Sequence, residues 1–521
     1  MASTIPVQGV GDTWIYPGEY VQLAFAQGAI SGSSSTRKVL LTGPMLSTGT
    51  AVANVAVRAK KESDVITWVG AGTPIHRMFR FLQKVNKTAE IWILPYAETA
   101  AGSPTAAVTT TTVVCTGATA ATRWTRTVCG ESFTVEIPSG AVAADIAEDM
   151  RALVAGATWL PVAVSGASAD VTLTAKVKGT RGGTATYKPI KIIDSAPGFG
   201  VTFTGNGDLG LTTPGAEGTT TEAANLAAAL AANDATLYYY IGCDLAGDSA
   251  AMTALSAFVA NQATPLGGKR GKAISAHVGT LSQGVTAADA MNFERIDIGW
   301  GLGSDHAPDE IVAQLIGIYQ KYTVADPTYN FNGYRGPDWL IKPSTNPANW
   351  PSTADLNDAM LGGLTPIEGH IGGTSLVSAY TTRTQDSTGI YMDLRASEAH
   401  RISGADYFAD IAQSTLGLNL RGSKVCDDPL MPDGVTVDYN RVSKFPRGLH
   451  CPATVKPMLW KAIEDMTDAL IGDPSKLDTM RDSVQVFLST SPNGRFEIGV
   501  SFYTINIYNQ ATVFIAESTE A

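Results

Sequence analysis

Short apolar runs alternate with amphipathic stretches along much of this chain, and this alternation constrains the fold more than any other feature. We predict strands at 38–42, 64–69, 90–94, 237–241, 272–278 and 295–299, helices at 222–232, 249–262 and 287–293, and two more helices that begin at 73 and 308. Strands that alternate with helices of this length are typical of a mainly parallel sheet with helices on both faces. We therefore predict an α/β core.

The alternation stops between about residues 100 and 215 and then resumes. This stretch is rich in Thr, Ala and Gly, has period-two patterns at 132–137 and 170–177, and contains one helix-like segment at 141–155. Period-two patterns indicate strands with one buried face. We predict that residues 100–215 are an inserted β-rich outer domain, and that residues 31–99 and 216–364 together form the α/β core.

The pattern changes again after a Gly- and Pro-rich connection that ends near residue 364. We predict a C-terminal α+β domain over 365–494, with strands at 376–384 and 390–394 and helices at 396–416, 456–471 and 474–489. The whole chain is therefore predicted to be a multidomain protein of mixed α/β and α+β class. Its 521 residues agree with about three to four domains, at roughly 150 residues each.

Both ends of the chain carry apolar residues that alternate with small or polar ones. The N-terminal arm, residues 1–30, and the C-terminal arm, residues 495–521, contain these alternating residues: Val21, Leu23 and Phe25, then Phe496, Ile498, Val500 and Phe502, followed by Ile505 and Ile507. Extended strands of this kind can add to the sheet of a neighbouring subunit through backbone hydrogen bonds. The alternative that the strands pair within their own domain stays open.

Charge and cysteine content exclude several classes of function. The 37 Lys and Arg and 48 Asp and Glu residues give a net charge of −11 without a basic block, so we do not expect direct binding of nucleic acid. The chain lacks a run of about 18 apolar residues, so we expect no stable membrane insertion. Five scattered cysteines and the absence of a signal-peptide pattern favour synthesis in a cytoplasm. Charged residues make up only 16% of the chain, and a weakly polar surface suits a protein that other subunits cover.

Two glycine-rich motifs resemble nucleotide-binding loops, but each lacks an essential part. Residues 205–210 match the pattern G-x-G-x-x-G, yet no helix start follows them to face a pyrophosphate. Residues 267–272 resemble a phosphate-binding loop, but Leu266 and Ala273 occupy the positions that require a glycine and a hydroxyl side chain. We interpret the first motif as a loop between strands and the second as a basic turn, and we expect no cofactor.

Metal-type side chains cluster around His306 without the spacing of a metal site. His306 has no second histidine one helical turn away, while Asp309 and Glu310 occupy the first turn of the helix that begins at Pro308. Carboxylates at that position favourably oppose the helix dipole. The residues at 426–428 and 450–451 also lack a second Cys or His at ligand spacing. Without a recognisable catalytic motif, we predict no metal site and no enzymatic activity.

Several short motifs resemble contractile phage tail sheath proteins, and in particular their Mu-like branch. The run SAYTTRT at 378–384, followed by GIYMD at 389–393, resembles the TTR or TTY strand of that family and its succeeding segment. The run SPNGRFE at 491–497 is similar to the entry into the C-terminal arm, and YPGEYV at 16–21 to the segment PGVYV near the start. The Thr-, Ala- and Gly-rich insertion resembles the variable insertion of the Mu-like branch.

The resemblance implies a structural subunit that polymerises around a tail tube and contracts to drive the tube through the host envelope, delivering the genome. Neighbouring subunits would exchange their N- and C-terminal arms. The implied partners are further sheath subunits, the tail tube protein, and baseplate and tail terminator proteins. The implied location is the virion tail, after assembly in the cytoplasm of a host bacterium.

The resemblance also implies that the C-terminal domain forms the inner wall, next to the tube. Lys456 and Lys461, on the predicted helix around Pro457, are therefore candidates to face an acidic tube surface. The alternative is an ordinary solvated amphipathic helix. For the whole protein, the alternatives are a non-contractile tail tube or fibre protein and, less favoured, an enzyme that degrades the cell envelope, which would need clustered acidic residues.

Overall fold

The structure is a computed structural model that describes residues 37–116, 120–195, 197–205, 207–264, 267–385, 399–490 and 493–504. The strands within these residues are β1 (Val39–Met45), β2 (Val57–Ala59), β3 (Ile91–Ala97), β4 (Val108–Cys115), β5 (Thr122–Val128), β6 (Glu131–Ile137), β7 (Val162–Ser165), β8 (Asp170–Ala175), β9 (Ile192–Asp194), β10 (Val201–Thr204), β11 (Tyr240–Gly242), β12 (Lys272–His277), β13 (Ile296–Trp300), β14 (Thr365–His370), β15 (Gly373–Leu376), β16 (Lys424–Val425), β17 (Leu449–His450), β18 (Gln485–Thr490) and β19 (Asn493–Gly499). The helices are α1 (Glu62–Val69), α2 (Pro74–Val85), α3 (Ala143–Gly156), α4 (Glu222–Ala232), α5 (Ser249–Gln262), α6 (Leu281–Met291), α7 (Pro308–Thr323), α8 (Thr353–Leu361), α9 (Ala399–Leu420), α10 (Tyr439–Val442), α11 (Pro452–Asp468) and α12 (Leu477–Ser483). The predicted mixed α/β class is confirmed.

An eight-stranded sheet connects the parts of the chain on either side of residues 100–215. Its strand order is β15-β14-β13-β12-β11-β1-β3-β2. The neighbours from β14 to β3 pair in parallel, whereas β15 and β2 pair antiparallel at the two edges. The strand β1 thus lies inside the sheet, between β3 and β11, and both parts of the chain contribute to one layer.

Helices cover both faces of this sheet because successive side chains of a strand point to opposite sides. Val39 and Leu41 of β1 join a buried cluster with residues of α1, α2 and α7. Leu40, between them, joins a second cluster with residues of α4, α5, α6 and α8. Strands buried on both faces are nearly continuous apolar runs, which is why the sequence pattern located them.

The helix starts follow the capping residues in the sequence. The Oγ1 of Thr73 accepts a hydrogen bond from the N–H of His76, and Pro74 is the first residue of α2. A side-chain cap of this kind satisfies a backbone donor that the helix itself leaves unpaired. The predicted helix starts at 73 and 308 and the helices at 222–232 and 249–262 are confirmed.

Residues 100–215 form two sheets of their own, with strand orders β10-β4-β8-β7 and β6-β5-β9. Trp124 of β5, Leu173 of β8 and Met150 of α3 are among the residues of their shared hydrophobic cluster. The β-rich content of this stretch agrees with the period-two pattern of the sequence. The division of the chain into the five predicted domains and arms stays a prediction.

Several secondary-structure predictions were wrong. Residues 64–69, predicted as a strand, belong to α1, where Val65 and Val69 lie one helical turn apart and are buried; a short apolar run does not by itself distinguish the two structures. The predicted helix at 474–489 is instead the short helix α12 followed by β18. Of the predicted strand at 376–384 only Leu376 lies in a strand, as the last residue of β15. The predicted strand at 390–394 lies outside the described residues. No helix in the described ranges has both the length and the apolar character that crossing a membrane requires.

Candidate functional site

The C-terminal segment, residues 399–504, has a hydrophobic cluster of its own. The helices α9 and α11 pack against each other, and Leu416, Leu459 and Ile463 are among the buried residues of the cluster. The long helix α9 also reaches the α/β core through ion pairs. Arg295 donates to both carboxylate oxygens of Asp406 at 2.6 Å, and both side chains are buried.

A β-hairpin of strands β18 and β19 closes this segment. Phe496 lies opposite Leu488 and Ile498 lies opposite Val486 in the antiparallel register. All four side chains are half-buried, and Val486, Phe496 and Ile498 pack at the margin of the cluster. Among the residues that the structure describes, β18 and β19 pair only with each other, so each strand has a second edge that no described strand covers.

The segment after β19 is fixed to its own subunit by Phe502. Its ring is 1% exposed and its centroid lies 5.1 Å from that of Phe408 on α9. A Cβ at Gly472 would lie 2.6 Å from Cζ of Phe502, so the chain passes close to the ring because glycine is present. The N–H of Asp473 donates to the carbonyl of Tyr503 at 2.8 Å, which holds the segment in place.

The structure therefore separates residues that the alternating pattern placed together. Phe496 and Ile498 belong to the hairpin, Val500 follows it and is half-buried, and Phe502 is buried in the subunit's own cluster. The remaining arm residues lie outside the described residues: Val21, Leu23, Phe25, Ile505 and Ile507. Donation of these strands to a neighbouring subunit stays a prediction.

The two candidate tube-facing lysines lie on α11 and differ in their surroundings. Lys461 is exposed and forms an ion pair with Asp465 one turn later; this carboxylate raises the pKa of Lys461. The Nζ of Lys456 lies 5.5 Å from the ring centroid of Trp460, within cation–π range. The indole of Trp460 is itself fixed, because its Nε1 donates to the carbonyl of Arg481 at 2.8 Å.

The cluster around His306 is a buried ion-pair network. The Nδ1 of His306 lies 2.6 Å from a carboxylate oxygen of Glu310, and Arg77 of α2 binds both Asp309, at 2.5 Å, and Glu310, at 3.0 Å. The guanidinium of Arg77 helps to hold the pKa of Glu310 below its ordinary value despite burial. Within the described ranges, no three His, Cys, Asp or Glu side chains are grouped as metal ligands would be.

The glycine-rich motifs differ from nucleotide-binding sites in their context. Residues 207–215 form turns and bends after β10, and α4 begins only at Glu222. In the second motif, Lys272 is the first residue of β12, and its buried Nζ donates to the carbonyl of Ala399 and to Ser403. This lysine thus binds α9 of its own chain.

Sequence reasoning missed the junction between residues 100–215 and the α/β core. Arg181, from the inserted stretch, lies 2.6 Å from Glu222 and also forms an ion pair with Asp244; all three side chains are at most 8% exposed. The ring of Tyr187 stacks on His277 of β12, with centroids 4.7 Å apart. Single charged or aromatic residues far apart in sequence carry no periodicity, so no pattern could have identified this junction.

A cavity of about 160 Å³ lies at the same junction. It is lined by Arg181 and Tyr187 of the inserted stretch, by Asp244 after β11, and by the first residues of α2 and α7. The charged groups at its wall are already paired with one another, since Arg181 binds Asp244 and Asp309 binds Arg77. Arg181, Asp244 and Asp309 are therefore not available as unpaired charges for a ligand in this cavity.

Comparison with known proteins relates part of the chain to tail sheaths. The chain is 32% identical over 156 residues to the tail sheath protein of the Mu-like prophage FluMu of Haemophilus influenzae. The match covers 30% of this chain and 31% of the relative, so the chain matches about a third of the relative's length. It confirms the resemblance to Mu-like tail sheath proteins. No family model matches the chain.

Solved structures similar to this chain include further sheath proteins. A sheath tail protein of Listeria innocua has 12% identity and a TM-score of 0.43, covering 91% of this chain and 96% of its own. One of Desulfitobacterium hafniense has 11% identity and a TM-score of 0.44, covering 94% and 100%. The sheath of an extracellular contractile injection system in its contracted state has 9% identity and a TM-score of 0.42, covering 97% and 98%.

Proposed function

We propose that this chain is the structural subunit of a contractile tail sheath, which surrounds a tail tube and contracts to drive the tube through the host envelope for genome delivery. The observation that carries the proposal is the 32% identity over 156 residues to a Mu-like tail sheath protein. The proposed location is the virion tail, after assembly in the host cytoplasm. The proposed partners are further sheath subunits, the tail tube, and the baseplate and tail terminator proteins.

The hairpin of β18 and β19 supports assembly by strand addition. A strand edge without a partner is a template for pairing with another chain, and backbone hydrogen bonds then supply the affinity. The described residues leave one edge of each hairpin strand without a strand partner. Residues 1–30 and 505–521, with their alternating apolar residues, are the strands that we propose a neighbour contributes.

Phe502 anchors the chain to its own subunit shortly before residues 505–521, the part of the C-terminal arm that we propose a neighbour receives. Thr504, the last described residue, forms an antiparallel bridge with Gly472. Because residues 502–504 are bound to the C-terminal segment, a force on residues 505–521 would act on that folded segment as a whole. Contraction then needs no hydrolysis, because a polymer switches states when the interfaces of one state have the lower free energy.

Lys456 and Lys461 remain candidates for contact with the tube. An acidic tube surface would have to compete with Asp465 for Lys461, so we propose that Lys456 contributes more. Salt would weaken such a contact, because exposed charges are screened over roughly 8–10 Å.

Negative-stain electron microscopy of the purified full chain tests the proposal. We expect hollow cylinders of sheath width. A chain that ends after Thr504 is the matched variant, because it keeps Phe502 and the hairpin and removes only residues 505–521. It should melt cooperatively and form no cylinders. Full-length protein that stays monomeric under all assembly conditions would contradict the proposed function, and narrow, non-contracting tubes would favour a tail tube protein.

A further inference from the structure

Charge is unevenly distributed along the C-terminal segment. Residues 421–461 contain seven Lys and Arg and four Asp and Glu, a net charge of +3. Residues 462–490 contain two Lys and Arg and six Asp and Glu, a net charge of −4. The structure shows which of these charges the subunit uses internally and which it leaves exposed.

Three basic side chains form a patch where α11 begins. Lys424, Lys444 and Arg447 are exposed, and none forms an ion pair with a described residue. The backbone brings them together, since the N–H of Lys424 donates to the carbonyl of Gly448 at 2.8 Å. We call these three residues the basic patch.

The other charges around the basic patch are mostly engaged. Arg441 is paired with Asp438 at 3.3 Å, and a carboxylate oxygen of Asp428 accepts a hydrogen bond from the N–H of Ala453 at the start of α11. Asp427 is an exposed carboxylate beside the patch. The patch therefore keeps a positive net charge that the subunit does not neutralise.

A second set of acidic side chains lies at the end of α11 and on α12. Asp468, Asp478 and Asp482 are exposed, and none forms an ion pair with a described residue. The neighbouring acids are already paired, Glu464 with Arg481 and Asp465 with Lys461. We call Asp468, Asp478 and Asp482 the acidic patch.

The two patches are too far apart to neutralise each other within one subunit. The helix α11 runs from Pro452, beside the basic patch, to Asp468, and α12 folds back along it as far as Trp460, whose Nε1 binds the carbonyl of Arg481. At 1.5 Å per residue, the separation along the helix axis is about 12–24 Å. Charges separated by more than a Debye length of about 8–10 Å are largely screened from each other.

We propose that the basic patch of one copy of this chain binds the acidic patch of the next copy. The proposal rests on the proposed function and names one contact of the polymer. Two different, complementary patches on one subunit make a heterologous contact, which repeats head to tail into a ring or helix instead of closing as a two-fold dimer. Complementary exposed charges mainly set the orientation and rate of such an association.

Charge-reversal variants test the contact because it predicts a specific rescue. The first variant is K424E/K444E/R447E, and the second is D468K/D478K/D482K. Each alone should raise the critical concentration for assembly at least about 10-fold at low salt, which is a coupling loss of about 1.4 kcal/mol. An equimolar mixture of the two should assemble as an alternating polymer, and one chain that carries all six changes should assemble alone. The triple variant K60E/K61E/K87E, on exposed lysines of the core, controls for net charge.

The results separate this contact from the proposed function. Cylinders that tolerate both reversals, or reversals without rescue in the mixture, overturn the contact alone. Salt-sensitive self-association with rescue but without cylinders overturns the sheath function and supports the contact. Wild-type protein that does not self-associate at low salt contradicts both. If only the basic-patch variant fails, and it fails by losing a co-expressed acidic tube protein, the occupant is the tube and not a second copy.

Discussion

The junction of residues 100–215 with the core and the C-terminal hairpin are built in opposite ways. At the junction, Arg181 is buried between two carboxylates, and an aromatic ring stacks on His277. At the hairpin, the apolar residues are only half-buried, and two strands pair with nothing but each other in the described part of the chain. The junction is thus completed by residues of the same subunit. The hairpin, in contrast, has strand edges in the described part of the chain to which a second chain can add.

Desolvation makes the junction costly to open. Removing an ion from water costs several kcal/mol, and a buried pair recovers this cost only when its partners are present and well placed. In the described part of the chain the hairpin strands pair only with each other, and backbone groups at such an edge are a template for pairing with another chain. We therefore expect the junction to stay closed under conditions in which the hairpin can still gain a strand.

The largest effect that we predict is that of Arg181→Met. The substitution keeps most of the side-chain volume but leaves Glu222 and Asp244 buried without their cation, so the free energy of unfolding should fall by about 3–5 kcal/mol. Urea denaturation followed by circular dichroism measures it. Arg123→Met is the matched control, because Arg123 pairs with Glu136 while both side chains are about 70% exposed; it should change stability by less than about 1 kcal/mol. Equal effects of the two substitutions would contradict the permanent junction.

Phe502→Ala should have the next largest effect. Its ring fills the C-terminal cluster beside Phe408, and deleting a buried phenylalanine costs about 3–5 kcal/mol, at the lower end where neighbours collapse into the space. We expect loss of the cooperative transition of the C-terminal segment, measured by hydrogen exchange of α9 and α11. A variant that melts like wild type and fails only in assembly would show that Phe502 belongs to the exchanged arm.

The stacked pair at the junction predicts a pH dependence. Burial lowers the pKa of His277 to about 4, and its Nδ1 accepts a hydrogen bond from the N–H of Gly279 at 3.0 Å. A base whose folded pKa lies below its unfolded value of about 6.5 adds stability above that pH, and the contribution is lost as the pH falls toward 4. Wild type should lose about 2–3 kcal/mol more than His277→Asn between pH 7 and 4.5. Parallel curves from denaturation at each pH would contradict this assignment.

The sequence predicted the core better than the contacts that join its parts. Residues of α4 and α5 carry a complete helical pattern with caps at Thr221 and Asp248, so their bounds were correct. Of the hairpin, the sequence predicted the strand around Phe496 but assigned residues 474–489 to a helix. The run that contains Val484, Val486 and Leu488 fits a helix as well as a strand, and only its pairing with β19 decides between them. Arg181 carries no local signal at all, since its partners lie 41 and 63 positions later in the chain.

The smallest effect on folding, with a large one on assembly, is expected for Ile498→Thr. Ile498 is half-buried opposite Val486, and threonine keeps the β-branched shape that strands favour, so unfolding should become easier by only about 1 kcal/mol. An added strand would pair with the edge of β19 that no described strand covers and pack its side chains beside Ile498 on the same face of the sheet, so the hydroxyl would weaken that lateral contact in every repeat of the polymer. Val486→Thr, on the facing strand, is the matched control for the loss of apolar area within the hairpin. Sedimentation and electron microscopy at equal protein concentration measure assembly, and thermal melting measures folding. If both variants assemble as well as wild type, no strand adds beside Ile498; if both unfold instead, the hairpin is as fully part of the subunit as the junction is.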